Sequence, residues 1–591
     1  MPTINEYFMI SETALASYAT ALTLGQQNSN LYQNAGMTQL QAEKFDRSWQ
    51  VLAQQDLTNG FSAALFERMD ESGAPTGEKV FAIRGTEASH WGIDYLVDVV
   101  NVALLGTSAG AVQYNSLESF YQSLIAQGKL TATEQITVTG HSLGGFLAQA
   151  FTAKHDSVVS AAYTYNSPGF SVAPGLLSNI GTELLEFFGI TDASIPGSKI
   201  FNIRAADGLS GTAGLGQMIG AVQPVFIESG DAIHNHSIVT LTDSLALYDL
   251  FAKLDPSLNM SQIDALFRTA SNQMDNTLEK GLQSLVKLFQ NQDLTLSTRD
   301  AYYTALINLR DSILFNQSAG LVTVLLPQFL STSTLTDRAK TDISFRYVLQ
   351  ELNPFVIAGD DGLYAQHNAD RRLDMYDPST GAGAITNEYL KDRAAMLSWK
   401  SYRDERDIGG LITGQPVSSN AVFIDVARGE TIRLGSVSDA QRRNFYFGGD
   451  GADAFASPSG LNDRLYGGAG NDTLTGNGGN DYLEGNADDD QLDGGEGDDT
   501  LHGGIGNDVL KGGDGAYADK LYGGNHDRAS TENLVNLHPI VKTANSVKGC
   551  QRVVTPRPAC SLPPDIGIAS SHYPCGFQGQ TPMKSASNRA A

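Results

Sequence analysis

The stretch "QITVTGHSLGGFLAQAFTAK", residues 135–154, predicts a strand, a sharp turn and a helix. "ITVT" is rich in β-branched residues, and the apolar run after the glycines is typical of a helix. Gly140, Gly144 and Gly145 lack the Cβ atoms that so sharp a turn would bring into contact. Ser142 therefore stands at the start of a helix, where the helix dipole favours a developing negative charge. This position makes Ser142 a candidate nucleophile.

Strands and helices alternate on both sides of this stretch. The other predicted strands are "SWQVLAQQDL", "FSAALFERMD" and "EKVFAIRGT" before it, and "AAYTYNSPG" and "SKIFNIRAADG" after it. Helical spacing precedes them in "LASYATALTLGQQ" and "MTQLQAEKF". Strands separated by helices form mainly parallel sheets with crossover helices, so residues 1–250 are predicted to be an α/β domain.

A nucleophilic serine needs a base, and the base needs an acid that orients it. Asp207 follows the predicted strand in "KIFNIRAADG", where a loop carboxylate at the sheet edge is expected. "DAIHNHSIVTLTDSL" supplies His234 and His236, and His236 is the preferred base because it adjoins the following helix. Asp192 and Asp231 are weaker acid candidates, since neither follows a clear strand.

An attacked carbonyl also needs two donors for its negative oxygen. One is the backbone N–H of Leu143, the residue after Ser142. The other should come from the loop after an earlier strand, and "VFAIRGTEASHWGIDYLVD", residues 80–98, supplies such a loop.

The order of these motifs resembles that of class 3 (fungal-type) lipases over about residues 50–240. The matching positions are Arg84-Gly85-Thr86 at the end of a strand, then Trp91, Asp94, "GHSLGG" at 140–145, and Ser167-Pro168. The resemblance implies an α/β-hydrolase domain with Ser142, Asp207 and His236 as its triad, because G-x-S-x-G forms the nucleophile elbow of that fold. It also implies that Thr86 gives the second oxyanion donor. An isoleucine stands where an aromatic residue often precedes the arginine.

The class of substrate follows from three apolar stretches, at residues 95–106, 175–190 and 208–226. Apolar helices beside such a site act as lids that open at a lipid surface, so together the stretches favour an acyl-chain substrate at an interface. The resemblance implies hydrolysis of acylglycerol esters, with phospholipase A1 activity at the same site as an alternative. These residues do not distinguish the two lipids.

Residues 251–430 are predicted to form an accessory, mainly helical region. Apolar residues recur there at helical spacing, and we interpret them as packing stripes. They are Ile263, Leu266, Phe267, Met274, Leu278, Leu282, Leu285 and Phe289.

Five aligned nonapeptides begin after Gly448, from "GGAGNDTLT" to "GGIGNDVLK". Each has Gly-rich loop residues and a short strand centred on a leucine, so two units form one coil if the leucines point inward. The aspartates would then line two edges, Asp472, Asp490 and Asp508 on one and Asp481 and Asp499 on the other. Such stacked carboxylates repel unless a hard cation separates them, and flexible oxygen ligands suit Ca²⁺.

This segment resembles the RTX repeats, which form a parallel β-roll, here expected over residues 431–524. The resemblance implies Ca²⁺ as cofactor, held by the six aspartates Asp453, Asp472, Asp481, Asp490, Asp499 and Asp508. It further implies secretion through a type I ABC exporter and folding outside the cell. A calcium-dependent surface-binding or adhesive protein with a vestigial hydrolase domain is the alternative from another class.

Composition limits the habitat and the partners. The net charge of −26 argues against nucleic acid as a partner, because phosphate contacts need clustered Lys and Arg. Residues 448–524 hold 16 Asp/Glu and 3 Lys/Arg, half of that net charge. No stretch reaches the about 18 consecutive apolar residues of a membrane span, and the first residues lack the pattern of a secretory signal, which agrees with extracellular export by another route.

The last segment, residues 525–591, does not fit this organisation. It holds all 3 Cys of the chain and is rich in proline, so we expect disorder and an atypical export signal. A foreign 3′ end, for instance from a frameshift, is our hypothesis for it, and export of this chain is therefore an open expectation.

Overall fold

The computed structural model describes most of the chain up to Ser530. The described residues are 1–85, 109–169, 196–206, 218–228, 230, 232–270, 277–325, 327, 330–377, 382–406, 411–412, 420–513, 518–523 and 528–530. The chain divides into two compact units, residues 1–547 and 548–591, and every described residue belongs to the first.

A seven-stranded sheet organises the N-terminal part of the chain, and its strands lie side by side in sequence order. The first three are antiparallel, and from β3 onwards each neighbour is parallel, which confirms the predicted α/β-hydrolase class. The strands are β1 (Trp49–Asp56), β2 (Ser62–Met69), β3 (Pro75–Ile83), β4 (Ile136–His141), β5 (Val159–Tyr165), β6 (Ile200–Ala205) and β7 (Ala221–Val225).

Helices cover both faces of this sheet. They are α1 (Ile4–Ala16), α2 (Ser29–Asn34), α3 (Gln39–Ser48), α4 (Ala109–Ala126), α5 (Leu143–Lys154), α6 (Ala232–His236) and α7 (Ile238–Leu254). Apolar residues of α4 and α5 pack on one face, with Phe81 and Val138 of the sheet. Those of α1 and α7 pack on the other, so the sheet is buried between two helical layers.

The sequence predicts a helix in "LASYATALTLGQQ", residues 15–27, but α1 ends at Ala16, so the prediction is wrong for the residues after it. Ala21, Gly25 and Gln27 take φ values of 58°, 89° and 85°, which a right-handed helix does not accommodate. The backbone between α1 and α2 therefore forms irregular turns.

Of the three apolar stretches considered as lids, one lies partly in the sheet. Residues 221–225 form β7, an edge strand that contains Pro224. Proline is tolerated at a sheet edge because its missing N–H faces no partner strand. Residues 95–106, 175–190 and 208–217 lie outside the described residues.

A mainly helical region follows, as predicted. Its helices are α8 (Met260–Ala270), α9 (Thr277–Gln290), α10 (Arg299–Arg310), α11 (Ile313–Ser318), α12 (Thr332–Thr341), α13 (Ile343–Glu351), α14 (Asp361–Ala365) and α15 (Asn387–Glu405). A small antiparallel pair, β8 (Thr323–Leu325) and β9 (Val356–Ala358), interrupts them. The predicted apolar stripes of α8 and α9 are buried in the core that also contains α1 and α7; Met274 lies outside the described residues.

Two stacked sheets form the C-terminal roll. The first contains β10 (Leu411–Ile412), β11 (Ala421–Asp425), β12 (Glu430–Leu434), β13 (Arg443–Phe447), β15 (Arg464–Ala469), β17 (Tyr482–Ala487), β19 (Thr500–Ile505) and β21 (Lys520–Tyr522). The second contains β14 (Ala454–Ala456), β16 (Thr473–Thr475), β18 (Gln491–Asp493), β20 (Val509–Lys511) and β22 (Arg528–Ser530). From β13 onwards successive strands alternate between the sheets, and β22 extends the roll past residue 524, its predicted end.

The strand register confirms two nonapeptides per coil. Leu465 pairs with Leu483 and Leu483 with Leu501 in one sheet, each 18 residues apart. Leu474, Leu492 and Leu510 are stacked in the same way in the other sheet. All of these leucines are buried in one cluster, so the interior of the roll is a ladder of leucine side chains.

Helix α15 joins the helical region to the roll through buried polar contacts. Arg393 forms an ion pair of 2.6 Å with Asp425 of β11, and both side chains are buried. Arg464 of β15 bonds Asp392, whose carboxylate also accepts a hydrogen bond from Tyr466. None of the helices that the structure describes has the length and apolarity of a membrane span.

Candidate active site

Ser142 lies in a strained turn between β4 and α5. Its φ of 56° and ψ of −126° are unfavourable for a residue with a side chain. Hydrogen bonds hold the turn: the Ser142 N–H donates to the Tyr165 carbonyl at 2.9 Å, and the Ser142 carbonyl accepts from Gly145 at 3.0 Å. Among the described residues the buried Ser142 Oγ has no hydrogen-bond partner. The sheet thus fixes this hydroxyl and leaves it available for reaction.

Two glycines allow the end of β3 to pack against this turn. A Cβ on Gly144 would lie 2.2 Å from the Ile83 carbonyl oxygen. A Cβ on Gly85 would lie 2.4 Å from the His141 carbonyl oxygen and 3.2 Å from the Ser142 Cβ. The chain after β3 therefore passes directly beside Ser142, and its next residue is Thr86. Thr86 itself lies outside the described residues.

His236, at the end of α6, lies beside the same turn. Its ring centroid is 4.8 Å from that of His141, the residue before Ser142. The His236 carbonyl accepts hydrogen bonds from His141 Nε2 at 2.7 Å and from Asn166 Nδ2 at 3.0 Å. Its side chain is 2% exposed, whereas His234 is exposed. Of the two predicted histidines, His236 is the one whose ring packs against His141, the residue before Ser142.

The tautomer of His141 follows from its two contacts. Burial lowers the pKa of His141 to about 4, so its ring is neutral near pH 7 and carries one N–H. The His236 carbonyl can only accept, so Nε2 carries the hydrogen. Nδ1 then accepts the Tyr18 hydroxyl at 2.7 Å. A neutral imidazole thus links Tyr18 in the turn after α1, the elbow and the His236 backbone.

The environment of His236 favours a neutral imidazole. Burial, and to a smaller extent the charge of His141, lowers the pKa of His236 well below its ordinary value. A neutral ring can accept a proton, which is what a general base requires.

Asn166 connects the end of β6 to the His236 backbone. Its Oδ1 accepts the Ala205 N–H at 3.0 Å, and its Nδ2 donates to the His236 carbonyl. Asp207 is two residues beyond Ala205 but lies outside the described residues, as do Asp192 and Asp231. The carboxyl ends of β4, β5 and β6 thus meet where the predicted triad would assemble.

Sequence reasoning missed Tyr18, His141 and Asn166. Asn166 follows β5 directly, and the rule that selected Asp207, a polar residue at the carboxyl end of a parallel strand, would have found it. Tyr18 comes to the site from the turn after α1, 123 residues before His141, and no local pattern marks such a contact.

The predicted metal ligands lie singly at the turns of the roll. Five of these aspartates accept, at Oδ1, the backbone N–H of the aspartate one coil earlier, for example Asp463 to Asp481 at 2.7 Å and Asp472 to Asp490 at 2.8 Å. The second oxygens of four of them are buried without a hydrogen-bond partner among the described residues: Asp472, Asp481, Asp490 and Asp499. Asp453 and Asp508 directly precede β14 and β20; Asp508 accepts the Asp490 N–H, whereas Asp453 is the first of the series and, within it, only donates, to Asp472.

These orphaned oxygens fit a hard cation. Burial raises the pKa of Asp472 to about 6, of Asp481 and Asp490 to about 8, and of Asp499 to about 7. Ionised carboxylates in such a place need a positive partner. In the described part of the chain no three His, Cys, Asp or Glu side chains cluster around a common metal position. Calcium would therefore be held by single aspartates together with backbone carbonyls of the Gly-rich loops, a ligand set that it accepts.

Comparisons with known proteins agree with this division of the chain. Residues 459–492 and 484–517 match the RTX calcium-binding nonapeptide repeat (four copies). Among curated proteins none is significantly similar to this chain in sequence.

Solved structures similar to this chain include two lipases. Lip2 lipase from Yarrowia lipolytica is 19% identical, with a TM-score of 0.25 and coverage of 40% of this chain and 82% of that one. A triacylglycerol lipase from Penicillium expansum is 12% identical, with a TM-score of 0.24 and coverage of 40% and 88%. An acylaminoacyl peptidase from Pyrococcus horikoshii is 13% identical, with a TM-score of 0.21 and coverage of 36% and 44%.

The fold and the two sites define the class of protein. The chain combines an α/β-hydrolase fold, in which Ser142 lies at a sharp turn between strand and helix, with RTX repeats. These repeats bind Ca²⁺, which is therefore the cofactor of the roll.

Proposed function

We propose that this chain is a secreted serine lipase that hydrolyses the carboxylic ester bonds of acylglycerols. The observation that carries the proposal is the strained elbow at Ser142, with a buried Oγ that has no partner among the described residues and with His236 packed against the preceding residue, His141. Phospholipase A1 activity would use the same residues and is one outcome of the test below.

In the proposed reaction Ser142 Oγ attacks the ester carbonyl while the His236 ring accepts its proton. His236 then protonates the leaving alcohol, and an acyl group remains on Ser142. Water, deprotonated by His236, attacks this acyl-enzyme, releases the fatty acid and restores the serine. Burial keeps His236 neutral before the reaction but weakens it as a base, so the first step needs a carboxylate that stabilises its protonated form.

Asp207 would orient the His236 ring. Support comes from Asn166, which binds both the Ala205 N–H and the His236 carbonyl, because Asp207 lies only two residues beyond Ala205. A carboxylate there would fix the tautomer of His236 and stabilise its protonated form.

Leu143 and Thr86 would hold the oxyanion. Leu143 is the first residue of α5, where backbone N–H groups lack intrahelical partners. Support for Thr86 comes from its neighbour Gly85, where a Cβ would lie 3.2 Å from Ser142 Cβ, because an oxyanion donor has to come from a residue close to the nucleophile.

The RTX repeats support an extracellular location, because calcium is abundant outside cells. The resemblance to RTX proteins also supports export through a type I ABC exporter. Folding of the roll on calcium would then couple activity to secretion. A lipid interface as the place of reaction is proposed from the apolar stretches in the sequence.

The test compares wild type, Ser142→Ala and Ser119→Ala, all full length and with saturating calcium. Ser119 is an exposed serine of α4 remote in sequence from the elbow, and it serves as the matched control. Substrates are p-nitrophenyl esters of short and long chain, a triacylglycerol emulsion and phosphatidylcholine vesicles. We expect Ser142→Ala to lose activity at least about a thousandfold and Ser119→Ala to retain it.

Activity that persists in Ser142→Ala would refute the mechanism. Hydrolysis of phosphatidylcholine rather than triacylglycerol would assign phospholipase activity to the same site. No hydrolysis of any ester by wild type would favour the surface-binding alternative.

A further inference from the structure

Asp463 differs from the other aspartates at the turns of the roll. It is fully buried, and both of its carboxylate oxygens have protein partners. Oδ1 accepts the Asn444 N–H at 2.6 Å, and Oδ2 accepts the hydroxyls of Ser457 and, at 2.8 Å, Ser459. Asn444 Nδ2 also donates to Ser457 Oγ at 3.1 Å, so the four side chains form one closed cluster.

The later aspartates of the same edge lack such partners. Asp481 and Asp499 make the same Oδ1 contact with the aspartate one coil earlier, but each leaves Oδ2 buried and unpartnered. In the described part of the chain, hydroxyl donors thus take at Asp463 the place that a cation would take in the next turns.

The loop itself explains the difference. Ala456 pairs with Thr475, 19 residues later, whereas Arg464 pairs with Tyr482, 18 residues later. The loop 457–463 therefore has one residue more than the loop 476–481 one coil later. Ser457 begins the longer loop where Gly476 begins the next one, and it brings a hydroxyl to the carboxylate.

Asn444 completes the cluster from the strand before the repeats. It precedes Asp463 by 19 residues and donates its backbone N–H in the way that Asp463 donates to Asp481. Along this edge Asn444 stands one coil before Asp463, where the repeat pattern would place an aspartate. Its side chain is a neutral amide, so no second negative charge faces Asp463 from that side.

We propose that Asn444, Ser457, Ser459 and Asp463 form a metal-free cap of the roll. On this edge the first calcium ion binds between the loops of Asp481 and Asp499, not at Asp463. The cap keeps the first turn folded without a cation, and the later turns pack against this folded turn when calcium binds. On the opposite edge Asp453 Oδ2 accepts the Gly449 N–H at 2.6 Å and no side-chain hydroxyl from the residues that the structure describes, so Asp453 stays a candidate ligand.

The first test counts calcium bound per chain by equilibrium dialysis and atomic emission. It compares full-length wild type with Asp463→Asn and, as the matched variant on the same edge, Asp481→Asn. We expect Asp463→Asn to bind as many ions as wild type and Asp481→Asn to bind at least one fewer. A loss of one ion in Asp463→Asn, with the far-UV circular dichroism of wild type, overturns the proposal.

The second test needs no variant, so it holds even if Asp463→Asn does not fold. Hydrogen exchange of the full chain is followed by mass spectrometry with calcium and with a chelator. We expect chelation to speed exchange in residues 480–500 at least about tenfold and to leave residues 443–464 nearly unchanged. Equal acceleration in both segments overturns the proposal.

Discussion

The elbow at Ser142 and the turns of the roll both contain buried oxygen atoms without partners, but for different reasons. At the elbow the neighbouring polar groups are paired: Tyr18 bonds His141, and His141 and Asn166 both bond the His236 carbonyl. Among the described residues the Ser142 Oγ is left without a partner. In the roll the same condition recurs along the described turns, at one carboxylate oxygen each of Asp472, Asp481, Asp490 and Asp499.

The comparison shows which external group would pair with the unpartnered oxygen in each region, a substrate at the elbow and a cation in the roll. A lone neutral hydroxyl that is buried and unpaired costs about 1–3 kcal/mol, and a reacting ester replaces the missing contact during turnover. Stacked carboxylates cost far more when they ionise, and a cation relieves them. We therefore expect removal of the Ser142 hydroxyl to change rates without loss of stability, and loss of calcium to change the folding of the roll first.

The largest expected effect is on the rate of ester hydrolysis, in His236→Ala. Without a base Ser142 stays protonated, so kcat should fall at least about a thousandfold. His234→Ala is the matched control, because His234 is exposed and two residues away, and it should lie within a few-fold of wild type. Thermal unfolding of both variants checks that the fold is kept.

The reverse result, with His234→Ala inactive and His236→Ala active, would move the base to the other histidine. It would also remove the link between the buried elbow network and catalysis.

The second effect is on the stability of the roll, when calcium is chelated. Ions at a hundred times their Kd stabilise a fold by about 2.7 kcal/mol per site, and the roll offers several sites. The three Trp residues, at positions 49, 91 and 399, all lie outside the roll, so their fluorescence reports on the rest of the chain. We expect chelation to reduce the β signal in far-UV circular dichroism before tryptophan fluorescence changes.

Magnesium at equal concentration is the control, since it demands a stricter octahedral geometry and should not restore the β signal. A β signal that is unaffected by chelation would show that the unpartnered oxygens need no cation.

Local patterns predicted both regions, because both are local in sequence. Ser142 and its glycines lie within six residues, and the aspartates and leucines of the repeats keep a period of nine. Each coil contacts the next through residues 18 apart, so the period alone determines the register.

Contacts that join distant segments were not predictable in this way. Tyr18 meets His141 across 123 residues, and Asn444 comes to Asp463 from a strand without repeats. β7 was missed because Pro224 interrupts its strand pattern, which only an edge position tolerates. A single sequence contains no signal for pairings that the folded topology alone creates.

The third effect is on kcat, in Asn166→Ala, and it tests whether the hydrogen bonds around the His236 backbone hold the base in position. Loss of its side chain removes the bonds to the Ala205 N–H and to the His236 carbonyl, so His236 should be held less well. We expect kcat to fall about ten- to a hundredfold. Asn202→Ala is the matched control, because Asn202 is equally buried and bonds Thr164 and the Ile219 carbonyl but not His236.

Both variants should lose stability, since each leaves buried groups unpaired. Equal kcat values in the two variants would show that Asn166 contributes to the fold and not to the position of His236.

The smallest expected effect is a pH dependence of stability from Glu484, a buried carboxyl of β17 that no calcium loop contains. Burial raises its pKa from an ordinary 4.5 to about 7, although Thr386 donates a hydrogen bond to it at 2.5 Å. Because the folded pKa is the higher one, this group stabilises the fold below pH 4.5 and loses that contribution as the pH rises towards 7. In saturating calcium, urea unfolding of wild type should therefore lose about 2 kcal/mol more than Glu484→Gln between pH 5 and 8. An identical pH slope in both proteins would mean that Glu484 is ionised in the fold and that its hydrogen bonds from Thr386, Tyr482 and Asn486 compensate its charge.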